Sequence, residues 1–204
     1  MVVLFSALIG FSTFAMATEE PAYTVAKELA PGIELRDYAP MLIAEVEVRT
    51  NDFSEAGSAG FKPLAGYIFG NNSRRDRIGM TAPVQQSAEG ERIGMTAPVG
   101  RTQSEEGWLV SFVMPARYTK ETLPEPRDPS IRVREIPARS VAVIRFSGRW
   151  STESFEEQQA LLLDTLLEAK IQTKGAPWSA QYNPPWTPGF MRRNEILVEI
   201  ERPD

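Results

Sequence analysis

Arg77-Ile-Gly-Met-Thr-Ala-Pro-Val84 recurs letter for letter as Arg92-Ile-Gly-Met-Thr-Ala-Pro-Val99, fifteen residues further along the chain. Eight identical positions at that spacing are not a chance event, and a local duplication is the simplest source. The octapeptide is apolar and β-favouring, yet it carries a proline that cannot donate a ladder hydrogen bond. That combination suits a sheet edge or the rim of a pocket. Met80 and Met95 would there offer soft, adaptable surface to something flat and apolar, the bland alternative being core filler.

Beyond the second copy, 108–114 (Trp-Leu-Val-Ser-Phe-Val-Met) reads as a strand with Trp108, Val110, Phe112 and Met114 on one face, ended by Pro115. Upstream lies a polar loop, 71–77, with Arg74, Arg75 and Arg77. Before it, a helix is expected from Asp52, paired with Glu55 as a capping box, to Phe69, with Gly70 as its stop. Its face would be Phe53, Phe61, Leu64, Ala65 and Ile68. Three internal glycines and Pro63 predict a kinked or two-piece element. The pattern over 23–48 is strand-like: Ile33 and Leu35 alternate with charges, and after a turn at 38–40 so do Ala44, Val46 and Val48.

Downstream, the proline-rich stretch 123–129 reads as an exposed joint, after which the plan begins again. Residues 131–136 and 140–147 read as paired strands. A helix follows over about 154–174, capped by Ser154 with Glu157, facing inward with Phe155, Leu162, Leu163, Leu166, Leu167 and Ile171, and ended by Gly175 and Pro177. Strands at 179–182 and 195–201 close the chain. Each half thus reads strand, strand, helix, strand, strand, over about 23–122 and 130–204. The expected fold is α+β: a pseudo-twofold, eight-stranded antiparallel distorted barrel with two helices.

Composition narrows the function. The chain has 204 residues, a formal charge of -5, and neither cysteine nor histidine. Without a concentrated basic face, nucleic acid is not an expected partner. Without histidine and cysteine, Ser-His-Asp and Cys-His catalysis, imidazole-ligated zinc and histidine-ligated haem iron are closed to it. Residues 1–17 are uncharged and apolar and end on Ala15-Met16-Ala17, a small-x-small cleavage pattern. They read as a signal peptide, leaving a single domain over 18–204, exported to a periplasm or secreted, with no membrane span after cleavage. The segment lacks a basic n-region, and an uncleaved membrane tether or a buried helix is the alternative. A spanning helix needs ~20 apolar residues.

Ile33-Glu-Leu-Arg-Asp-Tyr38, the helix end at 67–70, the doubled Ile-Gly-Met-Thr-Ala-Pro-Val, Phe112-Val-Met-Pro115 with Tyr118, Leu123-Pro-Glu-Pro126, and 182–190 through Arg193-Asn-Glu195 together resemble the SOUL haem-binding protein family. The resemblance covers nearly everything after the signal. It implies a pseudo-twofold barrel that binds haem and related tetrapyrroles, usually without turnover. Such a ligand needs an apolar slot, cations for two propionates and, optionally, an axial donor. Phe61, Leu64, Tyr67 and Ile68 with Met80 and Met95 could line the slot, and Arg74, Arg75 or Arg77 could meet the propionates. Some members of the family are thought to use a histidine, and this chain has none, so haem or a metal-free porphyrin would bind non-covalently with Met, Tyr or Lys as the remaining donors. The loop 182–193, with Trp186 and Phe190, reads either as a rim over the slot or as a rigid plug with Asn183 and Asn194 satisfying backbone groups. Two other function classes remain: a hydrolase of small aromatic ligands, for which the fold's likeness to effector-binding domains suggests Glu195 with Tyr67 or Tyr118, and a ligand sensor or partner-binding domain.

Overall fold

The computed structural model describes residues 19–50, 52–89, 107–149, 151–184 and 186–202. The expected signal peptide and the second octapeptide, with Met95, lie outside them. Nine strands and two helices follow in the order β1 (Tyr23–Ala30), β2 (Ile33–Tyr38), β3 (Met41–Arg49), α1 (Phe53–Ile68), β4 (Val84–Glu89), β5 (Gly107–Val113), β6 (Ile131–Ile136), β7 (Arg139–Phe146), α2 (Thr152–Glu168), β8 (Thr173–Gln181) and β9 (Asn194–Ile200). A 3₁₀ turn, Gly189–Met191, precedes β9.

The strands form one antiparallel sheet ordered β1-β2-β7-β9-β8-β4-β5-β3-β6. Exchanging β2 with β6, β3 with β7, β4 with β8 and β5 with β9 turns the order after β1 into its own reverse, so the pseudo-twofold axis runs between β4 and β8. The helices obey the same exchange: α1 packs on β3 and β5, α2 on β7 and β9. The sheet does not close into a barrel, because β6 and β2 do not pair. It holds nine strands where the sequence suggests eight, because 23–48 makes three strands, and β1 pairs only with β2.

Alternation explains the two helix-facing cores. Under α1, Leu42, Ala44 and Val46 of β3 meet Val110 and Phe112 of β5 and Leu64, Tyr67 and Ile68 of the helix. Under α2, Ile33, Leu35, Ala142, Ile144, Ile196 and Val198 meet Leu162 and Leu166. The other face is also covered in part, by Tyr38, Val141, Val143, Trp178, Ala180 and Leu197.

Both helix ends are built alike. Asp52 accepts from Glu55 N at 2.7 Å, and Ser151 from Ser154 N at 3.1 Å. Glu55 turns its carboxylate to the Thr50 hydroxyl rather than completing a capping box. At the other end α1 closes with Asn71 N on Gly66 O and Gly70 at φ 115°; α2 closes with Ile171 N on Leu166 O and Lys170 at φ 57°. These are Schellman caps. The second helix therefore begins earlier and stops earlier than its sequence suggests, and Gly175 and Pro177 belong to β8, at a register break between Lys174 and Trp178. The proline-rich joint is pinned at its start and exposed beyond it: Leu123 and Pro124 are buried while Glu125, Arg127 and Pro129 are exposed, Pro124 O accepts from the Tyr67 hydroxyl at 2.6 Å, and Ser73 and Glu125 bond reciprocally.

Candidate functional site

The first octapeptide forms a strap leading into β4. Ile78 is buried and its N–H bonds Ile68 O at 2.7 Å. The Thr81 hydroxyl donates to Val113 O, and Ala82 N to Glu19 O at 2.9 Å. Between these anchors Met80 stays 43% exposed. The strap is joined to a second feature through the next residue of the N-terminal segment: the Glu20 carboxylate takes Arg193 Nη1 at 2.9 Å, and Arg193 closes the base of the loop 182–193. Its N–H donates to Asn183 Oδ1 at 2.6 Å, and its carbonyl accepts from Tyr182 N.

That loop is stiff. Thr187 N bonds Pro184 O, Arg192 Nε donates to Thr187 O at 2.7 Å, and Gly189 O accepts from Gly148 N. Asn194 Nδ2 reaches Gly148 O, so Asn183 and Asn194 do satisfy backbone groups. Yet the loop is not a plug: Trp186 is 83% exposed, Phe190 80% and Met191 63%. Three large apolar side chains are thus held outward on one hydrogen-bonded loop.

Behind the loop sits a charge knot. Glu195 is fully buried and accepts from Arg36 Nη1 and Nη2 (3.0 and 3.2 Å), Arg193 Nε (3.0 Å) and the Tyr182 hydroxyl (2.7 Å). Burial works against the Arg36 and Arg193 cations, but the Glu195 carboxylate outweighs it and pushes both pKa values up. Burial, then the Glu195 charge, pushes Tyr182 up as well. A carboxylate gripped by four donors is occupied structurally and has little capacity left to take a substrate proton. The hydrolase pairing is not assembled either: the Tyr67 side chain packs between α1 and the sheet, with Tyr118 against the same core, on the opposite face from Glu195, and burial pushes the Tyr67 phenol up to about 12. The tyrosine that meets Glu195 is Tyr182.

Of the slot residues expected on α1, Leu64, Tyr67 and Ile68 are buried in the helix-facing core, and Phe61 sits at its edge with its ring 5.3 Å from that of Phe112. Covering β3 and β5 consumes this face of the helix, so among the described residues Leu64, Tyr67 and Ile68 line no open slot with Met80. Arg74, Arg75 and Arg77 are exposed and make no ion pair among the described residues. Their loop is organised by buried Asn72, which bonds Tyr67 O, Asp76 O and Asp76 N. Sequence reading missed Glu20, Arg36 and Tyr182, since charges alternating with apolar residues look like a solvated face. Among the described residues no cluster of His, Cys, Asp or Glu could hold a metal ion.

The chain is an α+β domain of two pseudo-twofold halves, one helix to each. Residues 18–199 match the SOUL heme-binding protein family, and the chain belongs to that family. Human heme-binding protein 2 is 27% identical over 194 residues, 93% of this chain and 90% of that protein; the mouse protein of the same name is 27% identical over 192 residues, 92% and 89%. Among solved structures, the C-terminal domain of EcmrR shares 12% identity at a TM-score of 0.62, covering 83% of this chain and 97% of that one. A hydrolase from Listeria innocua shares 9% at 0.54, covering 83% and 91%. At such identities these two show a common fold. Membership of the family supports tetrapyrrole binding.

Proposed function

We propose that this chain binds haem or a metal-free porphyrin non-covalently, without histidine ligation, as a carrier or buffer rather than an enzyme. The observation that carries the reading is the exposed trio Trp186, Phe190 and Met191 on a hydrogen-bonded loop, tied through Glu19 and Glu20 to the strap that exposes Met80. Arg74, Arg75 and Arg77 supply cations for propionates. Among the described residues Met80 and Met191 are the exposed methionines; haem iron would bring its own demand for an axial donor, and a thioether is a weak one. Burial of ring face therefore carries the affinity. At ~25 cal/mol per Å², each ~100 Å² covered contributes roughly 2.5 kcal/mol, and a few such patches reach about micromolar binding after association costs. Export through cleavage after Ala17 completes the proposal and makes the ligand's compartment periplasmic or extracellular.

The test is a titration of the purified protein with haem and with protoporphyrin, followed by the Soret band and tryptophan quenching. Saturable one-to-one binding of both with similar affinity is expected, weakened at least about tenfold by Trp186→Ala combined with Phe190→Ala. A large preference for haem would refute the reading that burial of ring face, rather than an axial donor, carries the affinity. Unchanged affinity in the double variant would remove the loop from the site.

A further inference from the structure

The sheet face that carries neither helix holds a half-open cleft of about 260 Å³. Strands of both halves build it: Ile43, Leu109 and Ile136 contribute apolar lining, Arg139, Lys174 and Trp178 polar lining. The Arg139 guanidinium stacks over the Trp178 ring at 4.4 Å. Two of these lining residues carry an N–H group, Arg139 Nε and Trp178 Nε1, that is buried and without an acceptor among the described residues. Trp178 itself is more than nine-tenths buried. Buried donors are almost always paired, so two adjacent orphans of the same sign are informative.

Counter-charge is short at the same place. Glu199 approaches Arg139 Nη1 only to 3.8 Å. Glu45, the other lining carboxylate, is engaged by Arg134 at 3.0 Å. Lys174 has no ion pair among the described residues. Burial, opposed by Glu199, holds the Arg139 guanidinium below its usual range, the direction expected of an under-compensated cation.

We propose that this cavity is a second binding site, separate from the tetrapyrrole surface, for a small organic carboxylate. Its oxygens accept from Arg139 Nε and Trp178 Nε1, and its apolar body lies against Ile43, Leu109 and Ile136. Size sets the class: the cavity equals the share of roughly nine water molecules and falls below the ~300–1,000 Å³ of sites for drug-sized ligands. A tetrapyrrole does not fit, and a benzoate-sized anion does. Inorganic phosphate would leave the apolar lining uncovered. Because the walls belong to both halves, such a ligand would bridge the pseudo-twofold axis.

The experiment follows the Trp178 indole N–H resonance of the full protein, assigned by its loss in Trp178→Phe, while benzoate and then neutral benzamide are added. A saturable shift with benzoate, much smaller with benzamide, is expected. By calorimetry, Trp178→Phe should weaken benzoate binding about tenfold, and Arg139→Leu should weaken it further. Trp178→Phe keeps the ring, so it decides the matter if Arg139→Leu does not fold. A resonance unmoved at millimolar benzoate, equal response to benzamide, or undiminished binding in Trp178→Phe overturns the proposal. Trp186→Ala with Phe190→Ala should leave benzoate binding intact, which separates failure here from failure of the tetrapyrrole reading.

Discussion

Two glycines of α1 should respond in opposite directions to the same substitution. A Cβ at Gly60 would stand 2.5 Å from Val110 Cβ and Cγ2, whereas one at Gly66 meets nothing within 4 Å. In a helix interior alanine is favoured over glycine by roughly 0.8–1 kcal/mol. Gly66→Ala should therefore stabilise the protein by up to about 1 kcal/mol, which moves the melting temperature of a domain this size by about 2–4 °C. At Gly60 the same propensity gain is opposed by overpacking. Carbon–carbon contacts relax near 3.5–4.0 Å, so α1 must retreat about 1 Å from β5 or Val110 must leave its place. Such strain costs typically 1–3 kcal/mol. Gly60→Ala should therefore be destabilised by up to about 2 kcal/mol net, placing it roughly 1–3 kcal/mol below Gly66→Ala. Urea denaturation of both beside the parent measures this directly. If Gly60→Ala matched or exceeded Gly66→Ala in stability, the close seating of α1 on Val110, and with it the argument that the helix face is spent on core, would be wrong.

Lys170→Gly should stabilise by roughly 0.5–1 kcal/mol, because a non-glycine residue in the left-handed cap of α2 is strained and glycine is not; thermal melting checks it. Tyr67→Phe should lose about 1 kcal/mol at neutral pH with the hydrogen bond to Pro124 O, yet flatten the alkaline fall in stability. The phenol ionises near 10 when unfolded and at about 12 when folded, so its contribution is complete below pH ~10 and is lost as pH rises through about 12. Urea midpoints from about pH 8 to about pH 12 in both proteins should differ by up to one proton's slope, ~1.4 kcal/mol per pH unit, within that window. Glu195→Gln should destabilise by about 3–5 kcal/mol, since Arg36 and Arg193 lose their buried counter-charge. Adding Arg36→Met should recover part of that loss; a stable Glu195→Gln single variant would instead return Glu195 to candidacy as a catalytic base.

The elements legible in the sequence were those whose ends carry local chemistry. Asp52 and Gly70 bracket α1 because a side-chain acceptor and a positive-φ glycine solve the two ends of a helix in ways that residue type reveals. The second helix makes the same two caps with Ser151 and Lys170, and a lysine in a left-handed position leaves no trace in residue type. Gly175 and Pro177 then looked like the missing stop. In the fold they mark a strand irregularity, where a glycine at φ 71° and a proline are equally at home.

The site was legible by halves for a related reason. Period-two alternation assigns one face of a strand to core and the other to water, and this sheet is covered on both faces. Glu34 and Arg36 of β2, Glu195 and Glu199 of β9 and Arg139 of β7 all face away from the helices, where a sequence reader places solvent. Instead Arg36 keeps only 2% exposure, and Glu195 none. Charge buried there has two fates in this molecule. Around Glu195 the donors and acceptors saturate one another, which fixes β2, β9 and the base of the aromatic loop relative to each other without offering a free group. Around Arg139 they do not saturate, and the remainder is two N–H donors beside a cavity with apolar lining. Reactive potential in a buried network resides in its unmatched members, so the knot that looks most like an active site is the less informative of the two, and the incomplete one is where a ligand has something to add.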